Sequence, residues 1–158
     1  MPRGNAKIRK HGIGVDDKFS NPIVMKFINY VMLNGKRTVA EKIVYGAFEK
    51  ASEKLGAPEM DIFDQVLKNV GPIVEVKSKR IGGANYQVPM EVNRDRRNTL
   101  AMRWILAAAR SQKGRPMAEK LATEMINAYN GEGTAIKKKE DTHKMAEANK
   151  AFAHFARF

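Results

Sequence analysis

Three arginines at a seven-residue interval, Arg96, Arg103 and Arg110, carry the most pointed chemistry in this chain. On a helix they form one stripe that drifts by only about 20° at each step. A guanidinium fork matches phosphate oxygens, and its plane stacks on bases. Arg94 and Arg97 flank Arg96, and Asp95 is the one acid among them. Arginines in a first turn oppose the helix dipole, so a bound anion would offset their cost. A merely solvated helix face is the plainer alternative. Upstream, Lys77, Lys79 and Arg80 fall at or near the tip of two alternating, β-branched segments. There they are either charge that protects an edge strand or a basic finger for nucleic acid. Lys113 and Arg115 close the run.

The charge balance places these residues in a patch. The 158 residues hold 29 Lys+Arg against 17 Asp+Glu, a net charge of +12. Residues 1–15 contribute +4 through Arg3, Lys7, Arg9 and Lys10, without an acid. Residues 77–115 contribute +8, and seven of their ten bases are arginine. The other two stretches cancel. A polyanion is the partner such a distribution implies, bound mainly through its phosphates.

Catalytic patterns fail one by one. Gly71 to Ser78 approaches a phosphate loop, but Val76 occupies the place of its second glycine and Pro72 follows the first. His143 and His154 have Glu140 and Glu147 nearby without zinc-protease spacing or a third ligand. No serine sits in an elbow-glycine motif, and cysteine is absent, which removes thiolate sites. The expectation is a protein without enzymatic activity, cofactor or metal. No apolar run is long enough to span a membrane, and no apolar signal segment opens the chain. A cytoplasmic protein is expected.

The positioning elements follow from periodicity. Residues 1–15 read as a flexible basic arm, since they carry Pro, Gly and Asn and no apolar period. A transit peptide would share that character, but this segment is short and runs directly into a helix start. Residues 16–158 read as one helical domain. Asn21-Pro22 starts a helix that Asn34-Gly35 stops. Thr38 to Glu41 spells a capping box for a second helix, closed by Gly56, and Pro58 opens a third, ended by Gly71-Pro72.

A hairpin over about 73–92 then turns at Gly82-Gly83, with Val74, Val76, Tyr86, Val88, Met90 and Val92 expected on one face. A two-residue loop would pair odd with even positions and split that set, so an odd loop or a bulge is expected. Asn93 caps a fourth helix running to about Gln112, with Leu100, Trp104, Leu106 and Ala107–Ala109 inward, and Pro116 begins a fifth. A last helix carries Met145, Ala148, Phe152 and Phe155. The class is mainly α: a bundle of about six helices with one protruding β-hairpin between the third and fourth.

Several segments together resemble the bacterial small-subunit ribosomal protein seven family. They are Lys18-Phe19-Ser20, Lys26 to Asn29, Asn34-Gly35-Lys36-Arg37 with Ala40-Glu41, and above all Val76 to Val92. Arg96-Arg97, Leu100-Ala101-x-Arg103-Trp104, Ala109-Arg110 and Lys138 to His154 follow in order. The resemblance implies a helical domain with a long hairpin that binds the 3′ major domain of small-subunit ribosomal RNA and nucleates assembly of the head. It implies a hairpin near exit-site transfer RNA and messenger RNA, neighbouring small-subunit proteins as partners, and a place in the cytoplasmic ribosome. It adds Lys36 and Arg37 to the RNA-contact candidates. Asp16-Asp17 stands where the family has proline, and the ending Phe155-Ala156-Arg157-Phe158 departs from the usual one. The rival is a helical DNA-binding regulator presenting the arginine stripe to a major groove; it would leave the hairpin and arm unexplained.

Overall fold

The computed structural model describes residue 12 and residues 14–157. Six α-helices and one hairpin follow in order: α1 (Pro22–Val31), α2 (Arg37–Leu55), α3 (Glu59–Val70), β1 (Val74–Ile81), β2 (Ala84–Glu91), α4 (Arg94–Ser111), α5 (Met117–Tyr129) and α6 (Thr134–Ala148). A C-terminal 3-10 helix covers Lys150–Arg157.

The core is built where the apolar sides of all six α-helices meet, α6 through Ala135 and Ile136. Phe27 of α1, Phe48 of α2 and Phe63 of α3 form a tilted ring cluster, with centroids 5.5 Å (Phe27–Phe63) and 5.1 Å (Phe48–Phe63) apart. Met102 and Ile105 of α4 and Leu121 and Met125 of α5 close it from behind, all of them fully buried. Burying such side chains is worth about 1.5–3 kcal/mol each against leaving them in water. Trp104 packs only partly against this core, and Ala107 is exposed; Ala101, Met102 and Ile105 fill the inward face that had been expected of them.

Two acids that periodicity could not place hold the loops. Asp16 is 1% exposed, and its carboxylate accepts the Phe19 and Asn21 amides, each at 2.8 Å. It thereby fixes the approach to α1, whose own N-cap is Asn21, accepting from the Ile23 amide. Glu124 is equally buried and accepts the Ala135 amide at 2.9 Å. A side chain on α5 therefore caps α6, because the N-cap residue Gly133 has none to offer.

The helix starts give one correction. The Thr38–Glu41 capping box does not form: α2 begins at Arg37, and no side chain caps it. Glu41 is drawn instead to Arg37 one turn earlier, with Nε to Oε1 at 2.6 Å. A charged partner at i−4 outcompetes the weaker bond to a backbone amide.

The hairpin gives a second correction. Every pair runs as Val74 with Glu91 through Ile81 with Ala84, a strict register with no bulge. The loop is Gly82-Gly83 alone, both at positive φ (57° and 89°). Two left-handed residues make the primed turn whose twist matches the strands, and glycine adopts it without strain. The expected single apolar face is thus split: Val76 lies across from Pro89, while Val88 and Tyr86 lie across from Lys77 and Lys79. Both faces have uses. Tyr86 packs on Phe152 and Phe155 of the 3-10 helix, at 5.2 and 5.3 Å between centroids. The last helix is correspondingly interrupted at Asn149, and Met145 and Ala148 are exposed and do not continue a stripe with those rings.

The hairpin base is held by two titratable groups. The Ile73 amide donates to His143 Nε2 at 3.1 Å, a bond that requires an unprotonated nitrogen. Burial, then the charges of Lys139 and Arg97, hold the His143 ring below its ordinary 6.5. Burial pushes the Glu75 carboxyl up, but hydrogen bonds and charge from Arg96 and Lys77 outweigh it and leave it below 4.5. A folded-state pKa below the unfolded one means that each contribution is present at higher pH and lost as pH falls through the folded value. The hairpin base is therefore expected to loosen on acidification through both groups, His143 at a pH below 6.5 and Glu75 at a pH below 4.5. Amide exchange at Ile73, corrected for its intrinsic pH dependence, should lose protection as pH is lowered from neutrality through the range below 6.5 in which the folded ring takes up its proton. Unchanged protection over that interval would refute the His143 contact.

Candidate nucleic-acid interface

The site grows from the join between hairpin and α4. Asn93 comes after β2 with only Val92 between them, and its Oδ1 accepts the Arg96 amide at 2.9 Å, so the helix starts at the hairpin base. The first turn then sends its arginines in opposite directions. Arg96 reaches back to β1, where its Nη2 and Nε donate to Glu75 Oε2 at 3.1 and 3.3 Å. Lys77 Nζ lies 3.3 Å from the other Glu75 oxygen. Arg97 turns to the end of α3, donating to the Gly71 carbonyl at 3.1 Å and the Lys68 carbonyl at 3.2 Å. Those carbonyls belong to a helix end that leaves acceptors unpaired. Gly71 has to be glycine for this clasp, since a Cβ there would sit 2.7 Å from Arg97 Cγ.

Protein acceptors, not an anion alone, thus offset the crowding of positive charge in this turn. Sequence had asked for the anion by itself.

The rest of the stripe follows α1. The Arg103 guanidinium stands 5.5 Å from the Tyr30 ring centroid, and Arg110 Nη2 lies 3.5 Å from the Val31 carbonyl at the end of α1. Both contacts are weak, and Arg96, Arg103 and Arg110 are all exposed. The turn carrying Lys36 and Arg37 leaves from that same end of α1. Arg37 is held by Glu41, with Asp17 4.0 Å away, and the Glu41 hydrogen bond raises its pKa.

On the hairpin, Lys79 Nζ donates to the Phe155 carbonyl at 3.2 Å, while Arg80 pairs with Asn85 beside the turn and is exposed. Lys113 and Arg115 lie exposed between α4 and α5. Arg115 lines a separate hollow of about 290 Å³ with Lys50 and Lys54, between α2 and α5. Arg3, Lys7, Arg9 and Lys10 lie outside the described residues.

Two lysines belong here that sequence did not single out. A cavity of about 530 Å³ is lined by Lys68, Arg94, Arg97 and Asp64, and an adjoining one of about 460 Å³ by Lys26, Arg94 and Asp95. Together they form a basic groove between α1, α3 and the start of α4. Lys26 and Lys68 had been counted in a stretch whose charge nearly cancels, and segment sums hide a lysine that folding carries to a distant arginine. The only signal was their place on the polar sides of two amphipathic helices.

His143 accepts from the Ile73 amide, and His154 packs its ring on Phe155 at 4.0 Å. Among the described residues no group of three His, Cys, Asp or Glu converges as a metal site. What the surface offers is a row of arginines and lysines, continuous from hairpin to α4, suited to phosphate.

Comparison with known proteins agrees with that chemistry. Residues 2–150 match the family described as ribosomal protein S7p/S5e. The small ribosomal subunit protein uS7 of Chloroflexus aurantiacus is 54% identical over 157 residues, 99% of each chain. Its counterpart in Thermotoga maritima is 56% identical over 149 residues, covering 94% of this chain and 96% of the relative. That of Francisella tularensis is 56% identical over 156 residues, 98% and 99%. With the expected architecture, the basic groove and this match in hand, the chain belongs to the ribosomal protein S7p/S5e family.

Proposed function

We propose that this chain is a structural, non-catalytic protein of the small ribosomal subunit that binds its RNA through the hairpin, the α4 stripe and the groove between α1, α3 and α4. On this reading it engages the 3′ major domain and nucleates assembly of the head within the cytoplasmic ribosome. The hairpin then lies by exit-site transfer RNA and messenger RNA, with neighbouring small-subunit proteins around it. The single observation that carries the reading is the one exposed arginine row, Arg96, Arg103 and Arg110, running from the hairpin base to the turn of Lys36 and Arg37. Arginine at each place keeps donors to spare. A fork of five N–H groups can serve a protein acceptor and a phosphate together.

The deciding experiment is quantitative binding to fragments of small-subunit ribosomal RNA, with duplex DNA as control. Preference for structured RNA is expected; tighter binding to duplex DNA would favour a helical DNA-binding regulator instead. With six to ten phosphate contacts, log K against log [salt] should slope by roughly −4 to −9. A slope near zero would remove the electrostatic argument.

Single changes separate binding from folding. Arg103→Ala and Arg110→Ala are expected to cost about 1–3 kcal/mol in RNA affinity and to shift stability by about 0.5 kcal/mol or less. Arg97→Ala should behave oppositely in part, losing about 1–3 kcal/mol of stability because two helix-end carbonyls lose their donor. Arg96→Ala should weaken binding and also loosen the hairpin, since Glu75 is left with Lys77 alone. If Arg103 and Arg110 variants melt early and bind normally, the stripe is structural.

The basic arm of residues 1–15 is proposed to add sequence-independent affinity. A chain lacking it should bind RNA more weakly and melt with unchanged cooperativity. Loss of the cooperative transition would make the arm part of the core.

A further inference from the structure

The chain contains two Asn-Gly pairs, Asn34-Gly35 and Asn130-Gly131, and the fold treats them very differently. Asn34-Gly35 is the tip between α1 and α2, with Asn34 at φ 52° and Gly35 at φ 72°. The turn is closed by the Lys36 amide donating to the Leu33 carbonyl at 3.0 Å. Two successive positive φ values demand this residue pair, for the reason that makes Asn-Gly common in primed turns. Both residues are exposed, and a Cβ on Gly35 would meet nothing within 4 Å. Among the described residues the Gly35 N–H donates to no protein acceptor.

Asn130-Gly131 is instead locked into the end of α5. The Gly131 amide donates to the Ala128 carbonyl at 3.2 Å, and the following Glu132 amide to Asn127 at 2.8 Å.

We propose that Asn34 is a self-modifying site, at which the side-chain amide is lost spontaneously to give aspartate and isoaspartate. The Gly35 nitrogen attacks the Asn34 side-chain carbonyl carbon. As that C–N bond forms, the bond to the side-chain nitrogen breaks, and ammonia leaves with the proton given up by Gly35. Solvent water then opens the succinimide at either carbonyl.

Three features favour this at Asn34. The nucleophilic N–H is unshielded by a side chain and not engaged by an acceptor. Rotating Asn34 into the attacking geometry costs the hydrogen bonds of one exposed turn, a low-energy local opening. The ammonium of Lys36, next in sequence, favours the anionic nitrogen that attacks. At Asn130 the same rotation would pull Gly131 off the helix end.

The consequence rests on the proposed RNA interface. Deamidation places a negative charge two residues from Lys36 and three from Arg37, and so subtracts one positive charge from the net charge at that end of the arginine row. Isoaspartate also lengthens the backbone inside the turn. Modified chains should therefore bind the RNA less well.

The test is incubation of the full chain at mildly alkaline pH, followed by peptide mass mapping and enzymatic methylation of isoaspartate. The peptide holding Asn34 should acquire the modification several-fold faster than that holding Asn130. In denaturant the two rates should converge. Equal rates in the folded chain, or a difference that persists in denaturant, would overturn the structural assignment. Asn34→Asp, which keeps an Asp-Gly turn, is then compared with the parent for binding to a ribosomal RNA fragment, and a several-fold loss is expected. If the imide forms but this variant binds as tightly as the parent, the modification stands and the placing of Lys36 and Arg37 against RNA is wrong.

Discussion

Arginine is concentrated in the first turn of α4, where the helix dipole repels it, and the surrounding fold is arranged to make that tolerable. Arg96 is ion-paired with Glu75 of the hairpin, and Arg97 donates to carbonyls at the end of α3, each about 3 Å away. The helix thus carries its charge by leaning on its two neighbours in sequence. This locks three elements together: α3 cannot move without orphaning Arg97, and β1 cannot move without exposing a carboxylate whose side chain is only 12% accessible. A basic surface and a rigid hairpin base are one construction, because the pairing that relieves the charge also sets the angle of the hairpin.

The outer part of the hairpin depends on something else. A two-stranded ribbon is marginal by itself in water. Here its far half is braced by Tyr86 against Phe152 and Phe155, whose rings lie 6.4 Å apart and nearly parallel. Lys79 adds a hydrogen bond to the Phe155 carbonyl, so a residue counted as part of a basic tip is also a tether. The interruption at Asn149 serves this bracing: changing from α-helix to 3-10 at that point alters the spacing of the two phenylalanines, and both meet one tyrosine.

Much of the fold was legible because helix boundaries here are written in residues with fixed backbone preferences. Asn21-Pro22, Pro58, Gly71-Pro72, Asn93 and Pro116 each fell where a helix starts or stops. The hairpin register was misjudged by assuming that one apolar face must be kept. That assumption fails here: Val76 and Val88 lie on opposite faces of the ribbon, Val76 part-buried and Val88 fully buried. The capping box failed because Arg37, outside the motif, competes for its acid. Asp16 and Glu124 were unreadable for a general reason: a carboxylate that accepts backbone amides is specified by loop geometry, and neither periodicity nor charge counting encodes that. Most of the candidate site was visible as arginine density. Lys26 and Lys68 were not, since only the packing of α1 and α3 on α4 brings them to Arg94 and Arg97.

The stripe and the clasp finally divide by exposure. Arg97 is half-buried and spends two donors on carbonyls, whereas among the described residues the polar contacts of Arg103 and Arg110 are a ring face at 5.5 Å and a carbonyl at 3.5 Å. The long contacts cost little to break, yet they bias two flexible side chains toward one side of α4. Order imposed before binding reduces the entropy lost when a phosphate arrives. Arginines fully engaged by the protein would have nothing left for RNA, and wholly free ones would have to be ordered by it. Arg103 and Arg110 sit between those limits, as the proposed phosphate binding requires of side chains that also rest on the protein.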